Sequence, residues 1–192
     1  MSRLLRLLGS WSLCLSLILG SSYGSGAFAE ATKSSIPAQV KQIDGYPFPE
    51  RIGNLRRGQR TDYNSPGLGF SVRYETPSDT WADIFIYDLN EDLSAVDARK
   101  ASHDQRDRAL SDIDQGVSSG SYQNAALISK AEVAPFAKAH VAITQKGKTR
   151  DSYVFVTIHK NNFVKIRLTT SSDKPDELAD RFASEYARLL RK

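Results

Sequence analysis

The chain has 192 residues, a formal net charge of +4 and a single cysteine, Cys14. Its length suits one domain with its own hydrophobic core rather than two. The small charge excess argues against nucleic acid or an anionic membrane surface as the main partner. A lone cysteine excludes an intramolecular disulfide and a cysteine-based zinc site.

The first 29 residues are predicted to be a signal peptide. Arg3 and Arg6 supply its positive charge, residues 7–19 are mainly apolar, and residues 27–29 read Ala-Phe-Ala, a pattern that signal peptidase cleaves. The apolar stretch is shorter than the roughly 20 residues that cross a bilayer. We therefore predict cleavage after Ala29, a periplasmic or secreted protein, and no stable membrane insertion after cleavage. An uncleaved N-terminal anchor is the alternative.

Cleavage at this point would leave residues 30–192 with a net charge of +2, because Arg3 and Arg6 are removed and no acidic residue is lost. Residues 30–48 are polar, and three prolines lie in or directly after them (Pro37, Pro47 and Pro49), which predicts a flexible N-terminal segment. The remainder, residues 49–192, is predicted to be one α+β domain.

The first half of this domain predicts strands. Phe70, Val72 and Tyr74 alternate with polar residues, and a period of two is typical of a half-buried strand. Residues 81–88 (WADIFIYD) are rich in aromatic and β-branched side chains and predict a second strand that can pair with the first. A short edge strand is also predicted around residues 54–60.

Two helices follow from capping signals and helical spacing. The first is predicted to start with Ser94 as its N-cap and to cover residues 95–115, which contain no proline or glycine. Its apolar stripe is thin, so one narrow face should be buried. The second closes the chain, with Ser172 or Asp173 as its expected N-cap. Its apolar residues recur at spacings of four, four and three: Leu178, Phe182, Tyr186 and Leu189.

Between the helices, four strands are predicted, at residues 125–133, 139–145, 152–158 and 163–169. Residues 152–158 (SYVFVTI) are apolar on both faces, which favours a central strand covered on both sides. Asn161-Asn162 is predicted to form a hairpin turn. Short hairpin connections favour an antiparallel sheet flanked by helices, and hence an α+β fold.

Three cations are the candidate binding residues. In the strand over residues 163–169, Lys165 and Arg167 lie on the face opposite the aliphatic residues, and Arg73 holds a similar position in the strand that begins at Phe70. Cations on a covered sheet face are costly unless an anion or an acidic partner neutralises them. We therefore predict a binding surface formed by Arg73, Lys165 and Arg167. The alternative is that their aliphatic stems border a helix and their charges meet water.

The sequence predicts no catalytic residue, no metal site and no cofactor. The histidines outside the signal peptide are His103, His140 and His159, and none has the sequence context of a metal or nucleophile motif. The competing hypothesis is a small periplasmic ligand-binding protein or hydrolase that uses His140 or His159 with an acid. It requires a pocket that brings a histidine within hydrogen-bond reach of a carboxylate or a hydroxyl.

The string Gly69-Phe70, followed by Pro77-Ser78 and Trp81, is similar to the opening of PsbP-like domains. The end of the chain looks alike as well, with a strand hairpin and then an amphipathic helix. The resemblance spans about residues 60–190 and includes the related Mog1-like proteins and several secreted bacterial proteins. It implies an α/β/α sandwich that acts mainly by binding and assembling other proteins, and it brings no catalytic residues. We thus expect a non-enzymatic binding or assembly factor with a protein partner in the cell envelope; the sequence leaves its oligomeric state open.

Overall fold

The computed structural model describes residues 31–192, so the predicted signal peptide and its cleavage site lie outside the described residues. These residues form an α+β fold that consists mostly of antiparallel β-sheet and contains two helices. The elements are β1 (Ala31–Ser35), β2 (Gln42–Ile43), β3 (Tyr46–Pro47), β4 (Arg51–Ile52), β5 (Leu55–Tyr63), β6 (Phe70–Glu75), β7 (Trp81–Tyr87), α1 (Ala98–Ser118), β8 (Asn124–Val133), β9 (Phe136–Gln145), β10 (Lys148–His159), β11 (Asn162–Thr170) and α2 (Pro175–Leu190).

The main sheet has the strand order β1-β5-β6-β7-β11-β10-β9-β8, with β4 pairing to β5, and β2 and β3 form a separate hairpin. Every strand pair in it is antiparallel. This confirms the antiparallel sheet, the six strands predicted from residue 70 onward, and the pairing of β6 with β7. The strand predicted around residues 54–60 exists as β5, but it is not an edge strand because β1 pairs to its outer side.

Two hydrophobic clusters occupy the two faces of the sheet. Val154 and Phe155 are adjacent in β10 and belong to different clusters, since successive side chains of a strand point to opposite faces. The larger cluster includes the buried face of α2, and the smaller one includes Ala109 and Ile113 of α1. The two helices therefore pack against opposite faces.

The segment predicted to be flexible, residues 30–48, contributes both strands and core residues, which corrects that prediction. Its described part forms β1, β2 and β3, and the side chains of Tyr46 and Phe48 are buried. The guanidinium of Arg57 donates hydrogen bonds to the backbone carbonyls of Pro37, Val40 and Phe48. Because polar composition does not show which few aromatic residues reach the core, composition alone misjudged this segment.

Local signals shift the boundaries of the remaining elements by a few residues. Helix α1 has Asp97 rather than Ser94 as its N-cap, and the Asp97 carboxylate accepts a hydrogen bond from the Lys100 N–H at 3.0 Å. The N-cap of α2 is Lys174, without a side-chain cap, and Pro175 follows in the first turn. The β10–β11 turn places Lys160 and Asn161 at positive φ, one residue before the predicted Asn161-Asn162 pair.

Gly69, the first residue of the motif that resembles PsbP-like domains, has a structural reason to be glycine. Its φ is +58°, and a Cβ atom there would lie 2.0 Å from the carbonyl oxygen of Ile86 on the neighbouring strand. Only glycine fits such a close approach at this backbone angle. No helix within residues 31–192 is long and apolar enough to span a membrane.

Candidate functional site: a basic and aromatic face of the sheet

The sheet register brings two of the three predicted binding residues into one row. Strand β7 lies between β6 and β11, with Arg73 opposite Asp83 and Asp83 opposite Arg167. Directly opposite residues on neighbouring strands have Cβ atoms about 5 Å apart. Arg73 and Arg167 are therefore positioned on either side of one carboxylate.

Asp83 forms an ion pair with Arg73 rather than with Arg167. The Arg73 guanidinium donates two hydrogen bonds to the Asp83 carboxylate, at 2.9 and 2.7 Å. The Asp83 side chain is 13% exposed and that of Arg73 is 41% exposed, so the pair stands at the solvent boundary. The hydrogen bond to Asp83 raises the pKa of Arg73, which keeps the arginine charged.

Lys165 lies in the neighbouring row and covers aromatic rings. Its Nζ is 4.5 Å from the ring centroid of Phe85 and 5.3 Å from that of Tyr87, within the range of cation–π attraction. Burial lowers the pKa of Lys165 to about 8, although Asp112 of α1 acts in the opposite direction. Lys165 is thus a half-buried cation that is costly to keep charged.

Arg167 is held by a hydroxyl rather than by a carboxylate. Its Nε donates a hydrogen bond to the Ser152 Oγ at 2.7 Å. Of the three cations, Arg73 alone forms an ion pair with a carboxylate of the described residues 31–192. The charges of Lys165 and Arg167 are therefore compensated less well than that of Arg73.

Helix α1 covers the other part of this sheet face. Its main contacts with the sheet fall on β10, β9 and β8, whereas the three cations lie on β6 and β11. Asp112 stands on the α1 side of the cations, and burial raises the pKa of its carboxyl group while Lys165 and Arg167 lower it. The resulting surface, Arg73, Asp83, Asp112, Lys165 and Arg167, is called the basic face below.

Aromatic side chains support the basic face. The ring of Tyr63 stacks on Phe85, with centroids 6.3 Å apart, and the Tyr63 hydroxyl hydrogen-bonds the Ser71 Oγ at 3.0 Å. The sequence pattern indicates the three cations but gives no role to Asp83 or Phe85. The alternation of WADIFIYD could have indicated Asp83 as a polar position between apolar ones, but only the register shows that it meets Arg73.

The hypothesis of a catalytic histidine finds one matching contact. The Nε2 of His140 lies 2.7 Å from the Asp151 Oδ1, and the imidazole stacks on the Tyr153 ring with centroids 4.3 Å apart. Nearby, the Lys138 ammonium forms ion pairs with Asp176 at 2.9 Å and Asp180 at 2.7 Å. These groups lie on the face of the sheet that carries α2, and they compensate one another.

The other histidines lie elsewhere. His159 is six residues from Tyr153, the β10 residue opposite His140, so the two histidines are separated by about 20 Å along the strand. The His159 ring packs edge-on against Tyr46. Within residues 31–192, no group of three or more histidine or acidic side chains could hold a metal ion.

A groove of about 460 Å³ lies between α2 and the β4–β5 hairpin. Its apolar floor includes Ile52, Leu55 and Phe182, and its charged rim includes Lys174 and Glu177. None of the residues that line it is His140 or His159. The His140–Asp151 contact is thus not part of this groove.

The chain matches no protein-family model, and it matches no curated protein. It is similar to the solution structure of cyanobacterial PsbP (CyanoP) from Synechocystis sp. PCC 6803, with a TM-score of 0.44 and 18% sequence identity. The match covers 88% of this chain and 96% of that one. This is the group of proteins that the pattern of residues 69–81 resembles.

Proposed function

We propose that this protein is an exported, non-enzymatic binding or assembly factor that receives an acidic protein segment on the basic face. The observation that carries the proposal is the placement of Lys165 and Arg167. Both are half-buried and neither is ion-paired within the described residues 31–192, and the main contacts of α1 with the sheet fall on other strands. A carboxylate-bearing partner would supply the compensating charge.

The unfavourable surroundings of the Lys165 charge support the proposal. Burial makes the protonated form of Lys165 unfavourable and lowers its pKa. Charged groups held in unfavourable surroundings cluster at functional sites. Meanwhile, the Arg73–Asp83 pair positions one guanidinium at the border of the same surface, where it can steer an acidic segment.

The expected cellular context belongs to the same proposal. Residues 1–29 direct export and are removed after Ala29, and residues 49–192 with the ordered segment before them form one α/β/α sandwich of the PsbP-like and Mog1-like type. The protein then works in the periplasm or outside the cell, against a protein partner of the cell envelope, and needs no cofactor. What supports this is the composition of the N-terminal residues and the packing of α1 and α2 on opposite faces.

A second candidate function rests on His140. Its contact with Asp151 meets the requirement of a histidine paired with a carboxylate. A hydrolase also needs a substrate cavity beside that pair, whereas the groove lies between α2 and the β4–β5 hairpin. The His140–Asp151 pair therefore supports this account only in part, and we favour the binding account.

The experiment that tests the proposal measures binding of a fluorescently labelled Asp/Glu-rich peptide by anisotropy. Replacing both Lys165 and Arg167 with glutamine should weaken binding about tenfold, since each lost charge contact contributes about 0.5–1 kcal/mol. Added salt should weaken binding to the unaltered protein, because exposed charges are screened.

The charge-matched control replaces Arg191 and Lys192 with glutamine. These residues lie at the end of α2 and are exposed, so their loss should leave peptide binding unchanged. Thermal melts show whether each variant folds. Equal weakening in both double variants would reduce the effect to net charge and remove the basic face as the site.

A further inference from the structure

Strand β8 forms one edge of the sheet and is unusually exposed. It is ten residues long, and every one of its residues is exposed or half-buried. It pairs with β9, and no other strand of residues 31–192 pairs with its outer side. A long open edge offers unpaired backbone N–H and C=O groups to another strand.

The edge also carries exposed apolar side chains. The structure describes three large apolar residues as exposed: Val96 at 40%, Leu127 at 53% and Ile128 at 57%. Two of these are adjacent in β8, where the register with β9 shifts between Leu127 and Ser129. An exposed apolar pair on an open edge is a surface that another strand can cover.

The charged residues Lys130 and Glu132 of β8 form ion pairs with α1. They are therefore not free to repel a strand of another chain at this edge. The Lys130 ammonium is 2.9 Å from Asp107, and the Glu132 carboxylate is 2.9 Å from Arg99 and 2.8 Å from His103. Charges on an edge strand normally discourage pairing with another chain. Here they are compensated within the protein itself.

We propose that β8 pairs antiparallel with β8 of a second copy of this chain, with Leu127 and Ile128 at the centre of the interface. In a two-fold antiparallel pair centred on these residues, Lys130 and Glu132 each face a position between residues 122 and 126 of the other copy. Those residues are Tyr, Gln, Asn, Ala and Ala, so no like charges meet. The strand is thus compatible with itself in charge and places its apolar pair against its own copy.

The consequence is a continuous sheet across two copies, with α1 of each copy beside the junction, because α1 contacts β8. The basic face lies on strands remote from β8 in the strand order, so both copies of that face stay open. Two basic faces in one particle would strengthen binding to a partner with repeated acidic segments.

The test is sedimentation equilibrium of the purified chain from about 1 µM to about 1 mM, a range that brackets weak and moderate dimers. The unaltered protein should dimerise. Replacing both Leu127 and Ile128 with lysine should raise the dimer dissociation constant at least about tenfold. The control Val96→Lys removes an exposed apolar residue outside β8 and should leave the dissociation constant unchanged.

A monomer throughout this range would overturn the proposal and assign the edge to a different occupant. A dimer that withstands the two lysines would overturn it as well. Single cysteines introduced along residues 124–132 of the chain from residue 30 onward, which contains no other cysteine, provide a second readout. Disulfide-linked dimers should peak at or beside 127 and 128, and even linkage along the strand would contradict the register. None of these results depends on Lys165 or Arg167, so this proposal and the proposed function can fail independently.

Discussion

The two faces of the sheet are built differently. The face under α2 is filled by large side chains, among them Tyr74, Phe155 and Tyr186, which are fully buried. The face under α1 contains the narrower stripe of Ala109 and Ile113, and beyond the helix it holds Lys165 and Arg167. Large buried side chains are concentrated on one face, and the two cations without an ion pair in residues 31–192 lie on the other. The face that contributes less to packing can carry polar residues for binding with a smaller loss of stability.

The largest expected effect is a cavity under α2. Phe182 is 3% exposed and packs edge-on against Tyr74, so Phe182→Ala should lower the free energy of unfolding by about 4 kcal/mol. Ile113→Ala, the corresponding change under α1, should cost about 2 kcal/mol because the side chain is smaller and its surroundings are thinner. Chemical denaturation of both variants measures the difference. Equal losses would show that the two faces contribute alike to stability.

An intermediate effect of opposite sign is expected at Lys165. Because burial lowers its pKa from 10.5 to about 8, the charged form is disfavoured in the folded protein. Lys165→Met should therefore raise the free energy of unfolding at pH 7, on the order of 1–3 kcal/mol, while it weakens binding of the acidic peptide.

The stability gained by Lys165→Met should depend on pH. Between about pH 8 and 10.5 the folded protein releases the Lys165 proton while the unfolded chain keeps it, so the unaltered protein gains stability as pH rises through this window. The advantage of the methionine variant should be full below pH 8 and shrink toward pH 10.5. Urea titrations at several pH values measure it. A constant difference would mean that Lys165 is not strained by burial.

The smallest expected effect lies at the start of α1. Asp97→Ala removes the hydrogen bond from the Lys100 N–H and should cost about 1 kcal/mol. Ser94→Ala is the control, because Ser94 is not the N-cap of the helix. Thermal melts should separate the two variants. A larger loss of stability in Ser94→Ala than in Asp97→Ala would show that Ser94, the residue predicted from sequence, is the N-cap.

Much of the fold follows from local sequence pattern. The alternation at Phe70, Val72 and Tyr74 and the apolar run of residues 152–158 predict β6 and β10, because burial on one or both faces leaves a direct imprint on residue order. The N-terminal segment leaves no such imprint. Its place depends on Tyr46, Phe48 and the hydrogen bonds from Arg57, which arise only after distant residues have come together.

In the candidate site, too, some features follow from residue order and others only from the pairing of distant strands. Residue order indicates that Lys165 and Arg167 point away from the aliphatic face of their strand. It does not indicate that β7 separates them from Arg73, or that Asp83 binds Arg73 rather than Arg167. Register between distant strands decides those contacts, and single-strand patterns carry no information about it.

The most direct measurement is a two-dimensional ¹⁵N–¹H NMR titration of the protein with the acidic peptide. Binding at the basic face predicts that the largest shift changes occur in β6, β7 and β11, around Arg73, Asp83 and Arg167, with small changes in α2. Largest changes along α2 and the β4–β5 hairpin would place the ligand in the groove instead. An unchanged spectrum at saturating peptide would contradict the proposed function.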